Sequence, residues 1–254
     1  MRRLIVRPGA AEGDRIYITD REDISYLSVV LRMKKGDPLL VSDGSGRVWE
    51  TYIDVVSRDR IELGIAAERP VAGEDKTRVT LYQGLPKGSK MEDVVRKATE
   101  LGAFRIVPFG AARAIPGPKD ISAAKLERWR RVAKEASKQS RRILTPEVSG
   151  VLGFEEAAAS LAGAGFDLAL ALYELEEGRT LKQALKELKA RAPDGGGNPL
   201  NIAVFIGPEG GFETAEIERL ACEGAAPVTI GDTILRTETA GPAAVAMILY
   251  ELDM

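Results

Sequence analysis

Histidine is absent from all 254 residues, and that absence removes much chemistry at once. No Ser-His or Cys-His couple can form, no imidazole can hold a metal, and no side chain with an ordinary pKa near neutrality is on hand for proton transfer. Cysteine is nearly missing too. Cys222 stands alone, so no internal disulfide is possible, and its setting among Leu220, Ala221, Glu223 and Gly224 is that of a small residue near a helix end. No apolar run approaches the roughly 18 residues a membrane span needs. The opening Met1-Arg2-Arg3-Leu4-Ile5-Val6-Arg7-Pro8 is too short and too charged for a secretory signal. The expectation is a soluble, cytoplasmic protein with no metal site and no membrane partner. Phosphate-binding signatures are lacking as well: the glycine-rich stretch after Ile206 does not contain Gly-x-Gly-x-x-Gly, and Gly84 to Lys90 lacks P-loop spacing. Chemistry must come from carboxylates, arginines, backbone groups or a bound cofactor.

What is present is an ordinary globular composition, 44% apolar and 29% charged, enough for one generous core or two modest ones. Residues 1 to about 68 carry short alternating runs, Arg15–Thr19, Pro38–Ser42, Val48–Ile53 and Ile61–Ile65, each fitting a half-buried strand. Asp43-Gly44-Ser45-Gly46 supplies a hairpin turn between two of them. The pattern predicts a small β-barrel or sandwich, interrupted by a helix over 24–33 with Ile24, Leu27, Val30 and Leu31 on its inner face. Arg69 to Lys76 mixes proline, glycine and charge without periodicity, as a linker does.

Beyond it strands alternate with helices, the signature of an α/β domain with a mainly parallel sheet. Strands are expected at Thr77–Gln83, Arg105–Phe109, Asp167–Tyr173, Asn201–Ile206 and Pro227–Ile230. Helices are expected from Ser89 to Gly102, then at Ala123–Ser140, Leu181–Ala190, Thr214–Glu223 and Gly241–Leu252. Ser89 and Glu92 have capping-box spacing, Met91, Val94, Val95, Ala98 and Leu101 form a stripe, and Gly102 supplies the stop. Pro193 to Pro199 reads as a loose loop.

Two loops and one helix stand out. In the first loop the apolar strand ending at Ile206 runs into Gly207-Pro208-Glu209-Gly210-Gly211-Phe212, leaving backbone amides bare where α/β sheets place ligands. A purely structural turn fits equally well. The second, Ile230 to Pro242, sets Arg236 close to Glu238, with Thr237 or Thr239 as N-cap and Pro242 in the first helical turn. A solvated ion pair beside a cap would look the same. Between Lys125 and Arg142 lie eight basic and two acidic residues, while Leu126, Trp129, Ala133 and Ala136 point inward. That helix face is either a phosphate-binding surface or a solvated charge run.

Five ordered blocks carry a resemblance: Lys87 to Glu92, Lys97 to Gly102, Glu135 to Arg141, Ile206 to Phe212 and Leu235 to Ala240. Together with Val29 to Asp37 and Asp43-Gly44, they resemble the RsmE family of 16S rRNA uridine N3-methyltransferases, of the SPOUT superfamily, over nearly the whole chain. Three positions depart from that pattern: Tyr26, Ala114 and Glu213. The resemblance implies an α/β fold in which a PUA-like β-barrel RNA-binding domain (1–70) precedes a trefoil-knotted SPOUT methyltransferase domain (77–254), forming a homodimer. It implies S-adenosylmethionine bound by Leu172, Glu174, Ile206, Gly207, Pro208, Glu209, Gly211, Ile230, Gly231, Leu235, Arg236, Thr239 and Ala240. The partner would be 16S rRNA within the small ribosomal subunit, contacted through Arg32, Lys87, Arg113, Arg128 and Arg141. Methyl transfer is mainly positioning of a nucleophile. With histidine absent, Arg236 or Arg113 is expected to stabilise the uracil oxygens, while Glu238 or water takes the N3 proton. A ribose 2′-hydroxyl methyltransferase of the same superfamily and a noncatalytic RNA-binding module are the alternatives.

Overall fold

The computed structural model describes residues 2–7, 9–44, 46–69, 76–140, 142–191 and 199–253, which fall into two units. The first unit holds strands β1 (Arg2–Ile5), β2 (Ala11–Glu12) and β3 (Arg15–Ile18), then helix α1 (Arg21–Ser25) and a π-helical turn, Tyr26–Val30. Strands β4 (Pro38–Ser42), β5 (Val48–Val56) and β6 (Ile61–Arg69) complete it. They form one sheet in the order β1-β4-β5-β6-β3-β2, antiparallel except for β1 beside β4. The alternation seen in the sequence has a direct cause: Ile16, Ile18, Leu39, Val41, Ile53, Ile61 and Leu63 turn to a single apolar core. Gly44 and Gly46 take positive φ of 74° and 115° in the turn between β4 and β5.

Residues Ser137–Thr145 also belong to this unit, although the sequence pattern assigns them to the second domain. Backbone and hydroxyl bonds account for the grouping: Ser42 Oγ donates to the Ile143 carbonyl at 2.6 Å, and Thr145 N to the Gly44 carbonyl at 3.2 Å.

The second unit contains β7 (Thr77–Gly84), α2 (Lys90–Leu101), β8 (Arg105–Gly110), α3 (Ala123–Ser140), β9 (Glu147–Val148), β10 (Leu152–Gly153) and α4 (Phe154–Ala159). After these come β11 (Leu168–Leu172), α5 (Leu181–Arg191), β12 (Leu200–Ile206), α6 (Thr214–Cys222), β13 (Ala225–Val228) and α7 (Thr237–Asp253). The sheet runs β10-β8-β7-β12-β11-β13, with β9 also beside β8, and every pairing in it is parallel. In central strand β12, Ile202, Val204 and Ile206 face one core while Ala203 and Phe205 face another, which is why the strand reads as a continuous apolar run. Residues of α2, α5 and α7 cover the first face, and those of α4 and α6 the second. Phe205 is fully buried and stacks on Tyr82 at 4.1 Å, so its truncation to alanine costs about 3–5 kcal/mol. No helix among the described residues is long and apolar enough to cross a membrane.

Several expectations are corrected. The helix expected over 24–33 is α1 plus the π turn. The Leu31 amide bonds the Tyr26 carbonyl, five residues back, and this wider turn swings Val30 out to 66% exposure while Ile24 and Leu27 stay buried. Ser89 makes no side-chain cap bond, and Leu101 lies at the surface, although Gly102 does close α2 in the left-handed region. Strand β13 begins two residues before Pro227, since its pairing with β11 ends at Leu172–Val228, and proline is tolerated on this edge. Helix α7 starts four residues early because the Arg236 carbonyl accepts from the Thr239 and Ala240 amides, which moves Pro242 into the second turn. Strands β1, β2, β9 and β10 and helix α4 are too short to register as periodicity. The linker at 69–76 and the loop at 193–199 fall mostly outside the described residues.

Candidate active site

Parallel strands put their carboxyl ends on one edge of the sheet, and there the loops after β11, β12 and β13 enclose a cleft of about 740 Å³. In the loop after β12, the Gly211 amide closes a turn on the Pro208 carbonyl at 2.9 Å, with Gly211 at φ 67°. A Cβ on Gly211 would collide with the Glu174 carboxylate, and one on Gly207 would lie 3.1 Å from the Gly211 carbonyl carbon. Glycine is therefore a packing requirement here as well as a conformational one. In the loop after β13, Gly231 has φ 134° and open space where a Cβ would be, and Ile234 and Arg236 are exposed.

A buried relay ties these loops together. Thr237 Oγ1 donates to the Gly207 carbonyl at 2.6 Å and accepts from Gln83 Nε2 at 2.8 Å; Gln83, fully buried on β7, also donates to the Gly84 carbonyl. Thr237 is thus engaged by tertiary partners instead of capping α7. Gly241 leaves room for Gln83, since a Cβ there would approach Gln83 Oε1 to 2.6 Å.

A second tie is ionic. Glu209 accepts from the Lys87 amide at 3.1 Å and from Lys90 Nζ at 3.0 Å, and Lys90 lies 3.5 Å from Glu238 Oε2. Partial burial works against ionisation of Glu209, but the bonds from Lys90 and the Lys87 amide outweigh it and hold the carboxyl below its ordinary range. Glu209, and to a lesser extent Glu238, raises the Lys90 ammonium above its ordinary value.

The cleft is lined by Leu172, Glu174, Ile206, Gly207, Pro208, Glu209, Gly211, Ile230, Gly231, Leu235, Arg236 and Ala240. Thr239 is exposed on α7 and does not line it. Nor does Glu238, whose side chain is largely buried beside Lys90, or Arg113, which donates to the Gly210 carbonyl at 3.1 Å and lies 3.6 Å from Glu213. Arg113 braces the back of the glycine loop. Lys87 is exposed beside it, Arg32 is exposed on the first unit with φ 51°, and Arg128 pairs with Glu92 at 2.8 Å. Arg141 lies outside the described residues. On α3, Arg130 pairs with Glu127, Lys138 with Asp23, and Lys125 lies over Trp129, so countercharges and a ring occupy part of the basic face. Sequence reasoning missed Lys90, Thr237 and Gln83, and also Thr180, which lines the cleft. Of these, Gln83 left the clearest signal, a carboxamide following Leu81 and Tyr82 near the end of a strand.

Residues 73–249 match the RNA methyltransferase domain, and residues 18–66 the RNA methyltransferase PUA domain. Fold and cleft thus define an RNA methyltransferase with an N-terminal PUA domain, the second unit having the α/β fold of SPOUT methyltransferases. The chain belongs to the ribosomal RNA small subunit methyltransferase E family. The Bacillus subtilis member is 32% identical over 92% of this chain and 89% of its own length; the Synechocystis member is 34% identical over 97% and 76%. Among solved structures, the Neisseria gonorrhoeae ribosomal RNA small subunit methyltransferase E bound to S-adenosyl methionine has a TM-score of 0.77 at 26% identity, covering 98% of this chain and 97% of that one. A methyltransferase from Legionella pneumophila in complex with the same cofactor has a TM-score of 0.74 at 27% identity, with 98% and 96% covered.

Proposed function

We propose that this enzyme methylates N3 of a uridine in 16S ribosomal RNA with S-adenosylmethionine, working in the cytoplasm on the small ribosomal subunit as a homodimer. The carrying observation is the cleft at the carboxyl ends of β11, β12 and β13, with its glycines and with Arg236 exposed on its wall. The residues fit that cofactor. Leu172, Ile206, Ile230 and Leu235 offer apolar surface for a purine, and the open side of Gly231 admits close approach to main chain. Glu174, Glu176, Glu177 and Asp232 offer carboxylates to ribose hydroxyls and to cationic groups. When bound, the cofactor supplies an electrophilic methyl carbon.

The chain must then orient the uracil and stabilise charge on its oxygens as N3 loses its proton. Arg236 is free of the ties that hold Arg113 to Gly210, and its fork of donors suits a carbonyl oxygen gaining negative charge. Water takes the proton, and Glu238, held beside Lys90 outside the cleft lining, serves to position that lysine. Lys87, Arg32 and Arg128 are surface phosphate contacts, Arg128 reaching out from an exposed position beside half-buried Glu92. The homodimer is supported by Ile234, Leu175 and Tyr250, large apolar side chains of the second unit that are 80%, 70% and 65% exposed.

Mass-spectrometric mapping of 16S RNA from a strain lacking the gene tests the assignment. One N3-methyluridine should disappear and return when purified enzyme and cofactor are added to the subunits. Loss of a ribose 2′-O-methyl group would transfer the reading to the other reaction, and calorimetry without cofactor binding would leave a noncatalytic RNA binder.

A further inference from the structure

The block Glu135 to Arg141 stands out in the sequence at the end of α3, yet the cleft uses none of it. In the first unit, Ser137, Lys138 and Gln139 of this block line a separate pocket of about 270 Å³ together with Arg3, Asp23, Tyr26 and Arg142. Its floor is a buried ion pair: Asp23, 6% exposed, accepts from Lys138 Nζ at 2.6 Å. Burying such a pair costs desolvation that offsets much of its attraction, while the short bond orients the Lys138 ammonium on Asp23. Lys138 keeps part of its surface in the pocket, and an ammonium has three donors, of which Asp23 engages one. Ser137 Oγ, fully buried on the same wall, has no hydrogen-bond partner. A buried hydroxyl left unsatisfied is a place where a polar ligand atom recovers free energy. At the rim the Tyr26 ring is 44% exposed, on a π turn of the kind that often marks functional sites.

Three cations, set against the carboxylates of Glu22 and Asp23, a carboxamide, an unpartnered hydroxyl and an aromatic face are groups that take a phosphate, a base edge and a base plane. A pocket of about 270 Å³ is on the scale of one nucleotide. The geometry points to a subsite on the first unit that holds one unstacked nucleotide of the RNA substrate, other than the base being methylated. This inference rests on the proposed RNA methylation.

The test uses full-length enzyme and small ribosomal subunits lacking the modification. Tyr26→Leu and Gln139→Ala, both at exposed side chains, should each raise KM for subunits, by about tenfold for Tyr26→Leu, with kcat and calorimetric S-adenosylmethionine affinity unchanged. Tyr26→Phe should behave as wild type. Wild-type KM in both Tyr26→Leu and Gln139→Ala overturns the subsite while leaving the enzymatic reading intact. The same holds if adenosine or uridine monophosphate perturbs the pocket but the variants keep their KM. If wild-type enzyme fails to methylate the subunits, both readings fall together.

Discussion

At the scale of single residues, the cleft depends on a few positions whose replacement has calculable consequences. Gly211→Ala forces an L-residue into the left-handed region at about 1–2 kcal/mol and drives its methyl into the Glu174 carboxylate. Equilibrium unfolding should register that loss, and titration calorimetry should find S-adenosylmethionine binding abolished. Arg236→Ala should lower the single-turnover methylation rate by about 10²- to 10³-fold, leaving cofactor affinity within a factor of a few. An undiminished rate at saturating cofactor would remove Arg236 from the chemistry. Gly207, Gly211 and Arg236 were legible in the sequence as loop residues at the edge of the sheet, because glycines directly after an apolar strand mark a turn whose main chain is open to close approach. Gln83 and Thr237 were not. Each became significant only when β7, the loop after β12 and the start of α7 converged, and no spacing along the chain relates residues so far apart.

Among elements, the tie between α2 and the loop after β12 has a definite pH signature. Glu209 titrates below its ordinary 4.5 in the folded protein, so its contribution is complete above that value and fades as pH falls through the depressed one. Lys90 titrates above its ordinary 10.5, so its share is complete below that value and is lost as pH rises through the raised one. The difference in melting temperature between wild type and Glu209→Gln should therefore hold constant between those ordinary values and shrink as pH drops below 4.5. A difference that instead grows in acid would show that the pair does not brace the loop. Long periodic elements such as α3 and β12 followed from the sequence, because their apolar spacing matches the surface they bury. The π turn after α1 and the early start of α7 did not follow. Both are set by backbone bonds whose partners periodicity does not specify, the Tyr26 carbonyl in one case and the Arg236 carbonyl in the other.

For the whole molecule, a net charge of −2 must coexist with affinity for a polyanion. Local basic groups resolve this, and their signature is salt dependence: the logarithm of the RNA affinity should fall against the logarithm of salt with a slope near 2, for about three phosphates engaged by Arg32, Lys87 and Arg128 at roughly 0.7 ions each. Filter binding across a salt series measures it, and a flat response would exclude phosphate contacts as the source of affinity. Residue order and composition were enough to establish the two-part organisation, the parallel sheet, the lack of imidazole chemistry and the glycine-bearing loops, since all of these arise from local propensity and apolar period. Folding in three dimensions was needed to bring three loops to one cleft, to leave Glu238 and Arg113 outside it, and to join the end of α3 to the first unit. Those outcomes depend on contacts between residues distant in sequence, which are fixed by packing and hydrogen-bond satisfaction and leave no period along the chain.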